Sequence, residues 1–205
     1  MKRKIALFGG TFDPIHKGHT AVAESAREYV QAEAVLFIPA HRSPHKRISP
    51  QAGIADRVEM IRLAIRENEH FHLNECELSR PEPSYTLETV NELKSHYGRD
   101  VEMYWLLGAD SVNDLPKWYG INELIDECTL CVMFRAGFDR PDFSAFTDLL
   151  GRQRVEKLRQ NVIPTPLINM NSTEIRSRIA AGLDVSEMLH PEVLGYIRRR
   201  NLYRP

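Results

Sequence analysis

Two imidazoles three residues apart, His16 and His19, close the run Gly9-Gly10-Thr11-Phe12-Asp13-Pro14-Ile15-His16-Lys17-Gly18-His19. If His16 enters the first turn of a helix, both rings aim the same way. The start of a helix attracts anions, so a histidine pair there suits a polyphosphate. A metal pair would want a further Cys, His or carboxylate, and only Asp13 offers itself nearby. Gly9 and Gly10 let a backbone approach a ligand closely and take dihedrals closed to other residues. Pro14 stiffens the loop and disfavours helix at Asp13. Singly, a Gly-Gly is a turn and a histidine at a helix start is a cap. Their combination on one junction points to phosphate binding.

The flanking elements fit that chemistry. Lys4-Ile5-Ala6-Leu7-Phe8 reads as a buried strand, and Thr20 to Val30, rich in Ala, reads as a helix. In an open α/β sheet ligands bind beyond the carboxyl ends of the strands. Ala34 to Pro39 is a second buried strand, followed by the cation-dense loop Ala40 to Arg47. Ile54, Val58, Ile61 and Ile65 predict an amphipathic helix over about 53–67, and Phe71 to Leu78 alternates like a strand. Ser84 or Thr86 can cap a helix ending near Tyr97. A strong strand, Val101 to Leu107, runs into Gly108-Ala109-Asp110, where Asp110 can accept ribose hydroxyls or cap the next helix. Trp118, in a Pro-containing loop, can be a core lid or stack on a pyridine ring. Ile121–Glu127 reads as a helix and Thr129–Phe134 as a strand. Residues 141–160 are mostly helical, and Val162 to Ile168 is a last, irregular strand. Asn171 or Ser172 caps the next helix. The alternation predicts an α/β fold: a Rossmann-like, doubly wound, mostly parallel sheet in a single domain, 1–205, with a helical part from about 171 to 205.

Composition narrows the partners. A chain of 205 residues with a net charge of −1 is not built for general nucleic-acid or membrane-surface binding. Arg198-Arg199-Arg200 sits where cations complement a helix end. Cys76, Cys128 and Cys131 read as free thiols rather than a disulfide framework. The first apolar run is too short for a signal peptide, so a cytoplasmic protein, possibly a homo-oligomer, is expected.

The first loop, with His16-Lys17-Gly18-His19 as its His-x-x-His element, resembles the signature of the nucleotidylyltransferase superfamily. Other stretches resemble the bacterial nicotinate mononucleotide adenylyltransferases. Ser43-Pro44-His45-Lys46 stands where these carry Pro-Pro-His-Lys, and Ser84-Tyr85-Thr86 through Thr89 matches their Ser-Tyr-Thr-x-x-Thr. Gly108-Ala109-Asp110 matches a Gly-x-Asp. Arg135-Ala136-Gly137 departs from Arg-Pro-Gly, and Asn171 from the first Ser of Ile-Ser-Ser-Thr-x-Ile-Arg. The resemblance runs from the first strand to the closing helix. It implies adenylyl transfer from ATP to nicotinate mononucleotide, giving deamido-NAD and pyrophosphate.

On that resemblance His16, His19, His45 and Lys46 are the catalytic candidates. Gly9, Gly10, Thr11, Phe12, Gly108, Asp110, Ser172, Thr173 and Arg176 would bind ATP. Thr86, Trp118, Tyr119 and Arg135 would bind nicotinate mononucleotide. No resident metal is expected, and Mg²⁺ would arrive with ATP. The rivals are phosphopantetheine adenylyltransferase, a cytidylyltransferase and a nucleotide sensor without turnover.

Overall fold

The structure, a computed structural model, describes residues 2–42, 49–98, 100–135, 141–166 and 168–204. Its elements run β1 (Arg3–Gly10), α1 (Lys17–Val30), β2 (Ala34–Pro39), α2 (Ile54–Ile65) and β3 (Phe71–Leu73). There follow a 3-10 turn (Cys76–Ser79), α3 (Thr86–Tyr97), β4 (Val101–Gly108), a second 3-10 segment (Ala109–Lys117), α4 (Ile121–Glu127) and β5 (Thr129–Arg135). A short 3-10 turn at Ser144–Phe146 leads into α5 (Thr147–Leu150), α6 (Arg152–Gln160), β6 (Val162–Thr165), α7 (Ser172–Ala180) and α8 (Pro191–Arg199).

The six strands form one parallel sheet in the order β3-β2-β1-β4-β5-β6. The chain winds outward from β1 to β3, then crosses back to lay β4 on the other side of β1. The carboxyl ends of β1 and β4, at Gly10 and Gly108, therefore flank the point where the winding reverses. That crevice is where an open sheet of this kind holds its ligand.

Both faces of the sheet are covered, so the strands are apolar throughout. Ala6 and Phe8 face one side of β1 with Val35 and Phe37 of β2. Ala23 and Ala26 of α1, Met60 and Ile61 of α2, Ile175 of α7, and Val193 and Ile197 of α8 complete that core. Ile5 and Leu7 face the other side with Ile38 and Trp105. Val90 and Leu93 of α3, Leu124 of α4, and Val155 and Leu158 of α6 pack there. The C-terminal helices α7 and α8 thus cover the α1 and α2 face.

Two expected strands are shorter than their patterns. Alternation continues to Leu78, but pairing with β2 stops at Leu73. Beyond it the chain turns so that Glu77 is buried. The last strand ends at Thr165, an edge position pairing only with β5. Among the described residues no helix is long and apolar enough to cross a membrane.

Candidate active site

The first loop places both imidazoles together. His16 is the N-cap of α1, with extended backbone, and His19 lies in the first turn. The His19 Nδ1 accepts the His16 backbone N–H at 3.2 Å, so a neutral His19 carries its proton on Nε2. The rings stack with centroids 3.7 Å apart. Phe12, the one residue of this loop with a positive φ (48°), sets its ring edge-on to His19 at 5.2 Å. Gly9 and Gly10 are ordinary strand residues without positive φ, contrary to their expected conformational role. Their small size makes room for rings. A Cβ on Gly9 would come 2.4 Å from Trp105, and one on Gly10 would come 2.9 Å from Phe12. Gly18 does the same for His16, whose Nδ1 would lie 2.9 Å from an added Cβ.

His16 is 5% exposed, and its buried Nδ1 has no hydrogen-bond partner among the described residues. Burial, then the charge of His190, pushes its pKa down to about 4. It is therefore neutral at pH 7 and acts as an N–H donor or an acceptor, not as an imidazolium. The folded chain resists protonating His16, while the unfolded chain accepts the proton near pH 6.5. The stability due to neutral His16 is complete above that pH and declines as pH falls from 6.5 toward about 4. In an NMR titration of the ligand-free protein, the imidazole signal that disappears in His16→Gln should hold its neutral shift down to about pH 5. A midpoint near 6.5 would refute the burial argument.

Asp13 ties this loop to three distant segments. Its carboxylate, 5% exposed, accepts the backbone N–H groups of Gln51 at 2.8 Å and Ala52 at 3.1 Å, and the Tyr203 hydroxyl at 2.8 Å. Its carbonyl accepts Arg176 Nη1 at 2.7 Å. Ser172, the first residue of α7, donates its hydroxyl to the Pro14 carbonyl at 2.9 Å. The expected cap of α7 is present: the Asn171 side chain accepts the Glu174 N–H at 2.8 Å. Thr173 Oγ1 accepts Arg176 Nη2 at 3.3 Å, while Arg176 Nε is buried without a hydrogen-bond partner among the described residues. Buried Arg57 joins β1 to β2 by donating to the carbonyls of Thr11 at 2.8 Å and Ala40 at 2.9 Å.

A second group forms at the ends of β2 and β4. Neither Ser84 nor Thr86 caps α3; Tyr85 holds the N-cap position without a side-chain bond. The Ser84 hydroxyl instead accepts the His41 N–H at 3.0 Å. The Tyr85 ring lies 4.8 Å from that of Tyr119, which is 56% exposed. Trp118 is partly buried against the α3 and α4 core. These ring contacts place Thr86, at the start of α3, near the loop of Trp118 and Tyr119. Asp110 is exposed and follows Gly108, which takes the N-cap position of the 3-10 segment. His45 and Lys46 lie outside the described residues. Arg135 ends β5, and its side chain lies outside them too.

Sequence reasoning missed Arg57, Tyr203 and Glu77. Arg57 sits among helix residues, Glu77 in a strand-like run and Tyr203 near the chain end. Their partners are made only by the fold. The signal available for Asp13 was a carboxylate inside a phosphate-type loop. Three donors occupy its oxygens, so Asp13 fits a metal poorly. Among the described residues no group of three or more His, Cys, Asp or Glu could hold a metal ion. Free Cys128 and Cys131 are buried, and burial pushes their thiols up to about 12, which makes them inert.

The profile of the cytidylyltransferase-like family matches residues 7–178. A protein of Thermomicrobium roseum called "Probable nicotinate-nucleotide adenylyltransferase" is 38% identical over 98% of this chain and 92% of its own length. One of the same name from Gloeobacter violaceus is 38% identical over 99% and 97%. A Plasmodium falciparum nicotinic acid mononucleotide adenylyltransferase complexed with NaAD shares the fold, with a TM-score of 0.75 at 19% identity, covering 98% of this chain and 97% of that one.

Proposed function

The chain belongs to the cytidylyltransferase-like family, among the nicotinate-nucleotide adenylyltransferases, and from that membership we infer that it transfers the adenylyl group of ATP to nicotinate mononucleotide. The products are deamido-NAD and pyrophosphate, a step of NAD biosynthesis. The observation that carries the mechanism is the convergence at the sheet's switch point. There the His16 and His19 pair, the start of α1 and the start of α7 meet through the Ser172–Pro14 and Arg176–Asp13 hydrogen bonds.

The acceptor's 5′-phosphate oxygen attacks the α-phosphorus of ATP, the α–β bridging bond breaks, and its electron pair leaves with pyrophosphate. No protein nucleophile is needed. The chain must align two anions and stabilise the charge that develops in flight. Neutral His16 would hydrogen-bond the α-phosphoryl as that charge forms. His19, Ser172 and Arg176 would hold the triphosphate, with Thr173 and the α7 amides beside them. His45 and Lys46 follow the end of β2 in sequence and are proposed for the same task. Mg²⁺ is proposed to enter with ATP, neutralising its phosphates without a protein cage. Thr86, Trp118, Tyr119 and Arg135 are assigned to the acceptor, and Gly9, Gly10, Gly108 and Asp110 to the adenosine part.

The purified chain, given ATP, Mg²⁺ and nicotinate mononucleotide, should release pyrophosphate in step with deamido-NAD. Nicotinamide mononucleotide should give a kcat/KM at least about tenfold lower, because polar groups set for a carboxylate are left unpaired by an amide. Equal use of both would remove the acceptor assignment. CTP replacing ATP without loss would favour the cytidylyltransferase rival.

A further inference from the structure

The motif from Ser84 to Thr89 is held at both ends, at Ser84 by the chain leaving β2 and at Thr89 by a buried carboxylate. Glu77 is 4% exposed and accepts the Thr89 hydroxyl at 2.7 Å. We propose that Glu77 is a positioning residue for the acceptor nucleotide, ordering the Thr89 hydroxyl so that it fixes the first turn of α3, while Ser84 at the other end of the motif is bound to the end of β2. This rests on the reading that Thr86 contacts nicotinate mononucleotide.

The argument turns on where protons must go. An ionised carboxylate only accepts, and each hydroxyl has a single proton. With its proton directed to Glu77 at 2.7 Å rather than to the Tyr85 carbonyl at 3.3 Å, the Thr89 hydroxyl oxygen is left as an acceptor. Thr89 Oγ1 then receives Arg80 Nη2 at 2.5 Å, and independently Ser84 Oγ receives the His41 N–H at 3.0 Å. The Ser84 N–H adds a bond to the Arg42 carbonyl at 3.0 Å. The loop that leaves β2 is thus fastened to the residue two before Thr86, and the helix is fastened again three residues after it. Tyr85, between the fastenings, carries the ring that meets Tyr119. Burial raises the Glu77 pKa, while the hydroxyl donors and Arg80 oppose that rise. Arg80 is itself held by Glu92 at 3.1 Å, so the cationic side of the cluster is fixed as well.

Glu77→Leu keeps much of the size of the side chain but removes the acceptor of the Thr89 proton. The hydroxyl is left with the Tyr85 carbonyl at 3.3 Å. Kinetics of Glu77→Leu, Thr89→Val and the double variant, with Tm beside them, test the proposal. Each single change should raise KM for nicotinate mononucleotide about tenfold, with KM for ATP changed less than about twofold. The double variant should match a single one, because both cut the same connection. An unchanged acceptor KM with only a lower Tm would reduce Glu77 to a fold-stabilising residue and overturn the proposal. So would a double variant about a hundredfold worse, since Thr89 would then not transmit the effect. A wild-type chain without turnover would overturn the functional reading and this inference together; normal turnover with unchanged acceptor KM values in the variants overturns this inference alone.

Discussion

His16→Ala should lower kcat by roughly two to four decades and leave KM for ATP within about threefold. The imidazole is neutral, buried and stacked on His19, so it adds little to the general attraction for a polyanion. Its contribution is a hydrogen bond placed where charge appears as the α-phosphoryl becomes pentacoordinate. Losing a preorganised group of that kind costs the transition state far more than the ground state. His19→Ala should behave differently. His19 holds the His16 N–H through Nδ1, and its loss should raise KM for ATP as well as lower kcat. Steady-state kinetics on both variants, with ATP affinity by calorimetry, separates the two roles. If His16→Ala abolished ATP binding at unchanged turnover, His16 would be a binding residue and the mechanism would need another electrophile.

The fold was readable because its signals are local. Apolar runs such as Val101–Leu107, each followed by a glycine or proline, identify buried parallel strands and the edge at which they end. The His16 and His19 spacing was readable for the same reason, since three residues within one helical turn need no tertiary partner. Where local pattern and tertiary demand diverged, the pattern failed. Phe71 to Leu78 alternates, but sheet pairing stops after Leu73 and the chain turns to bury Glu77. Ser84 has the chemistry of a helix cap, yet its hydroxyl accepts the His41 N–H instead. Gly9 suggested special dihedrals and instead makes room for Trp105, almost a hundred residues on. Each miss is a partner supplied from far along the chain.

Asp13→Ala should cost about 3–5 kcal/mol of stability, a fall in Tm of roughly 10 °C for a chain of this size. The carboxylate is buried, and its removal leaves the Gln51 and Ala52 N–H groups and the Tyr203 hydroxyl without their acceptor. Arg176 keeps its bond to the Asp13 carbonyl but loses the carboxylate 3.9 Å away. Tyr203→Phe removes one of those donors and keeps the acceptor, so it should cost only about 1 kcal/mol. Activity should fall in Asp13→Ala even below the melting transition. The segment from Asp13 to His16 is placed by these bonds, and a small displacement of His16 is costly to an oriented reaction. A metal-ligand role for Asp13 makes the opposite forecast: a Tm close to wild type without Mg²⁺, and activity recovered by excess Mg²⁺. Thermal melts with and without Mg²⁺, followed by kinetics at a temperature where the variant stays folded, decide between the two. An unaltered melt would mean that the knot at Asp13 holds nothing together, and the placement of His16 would have to rest on the start of α1 alone.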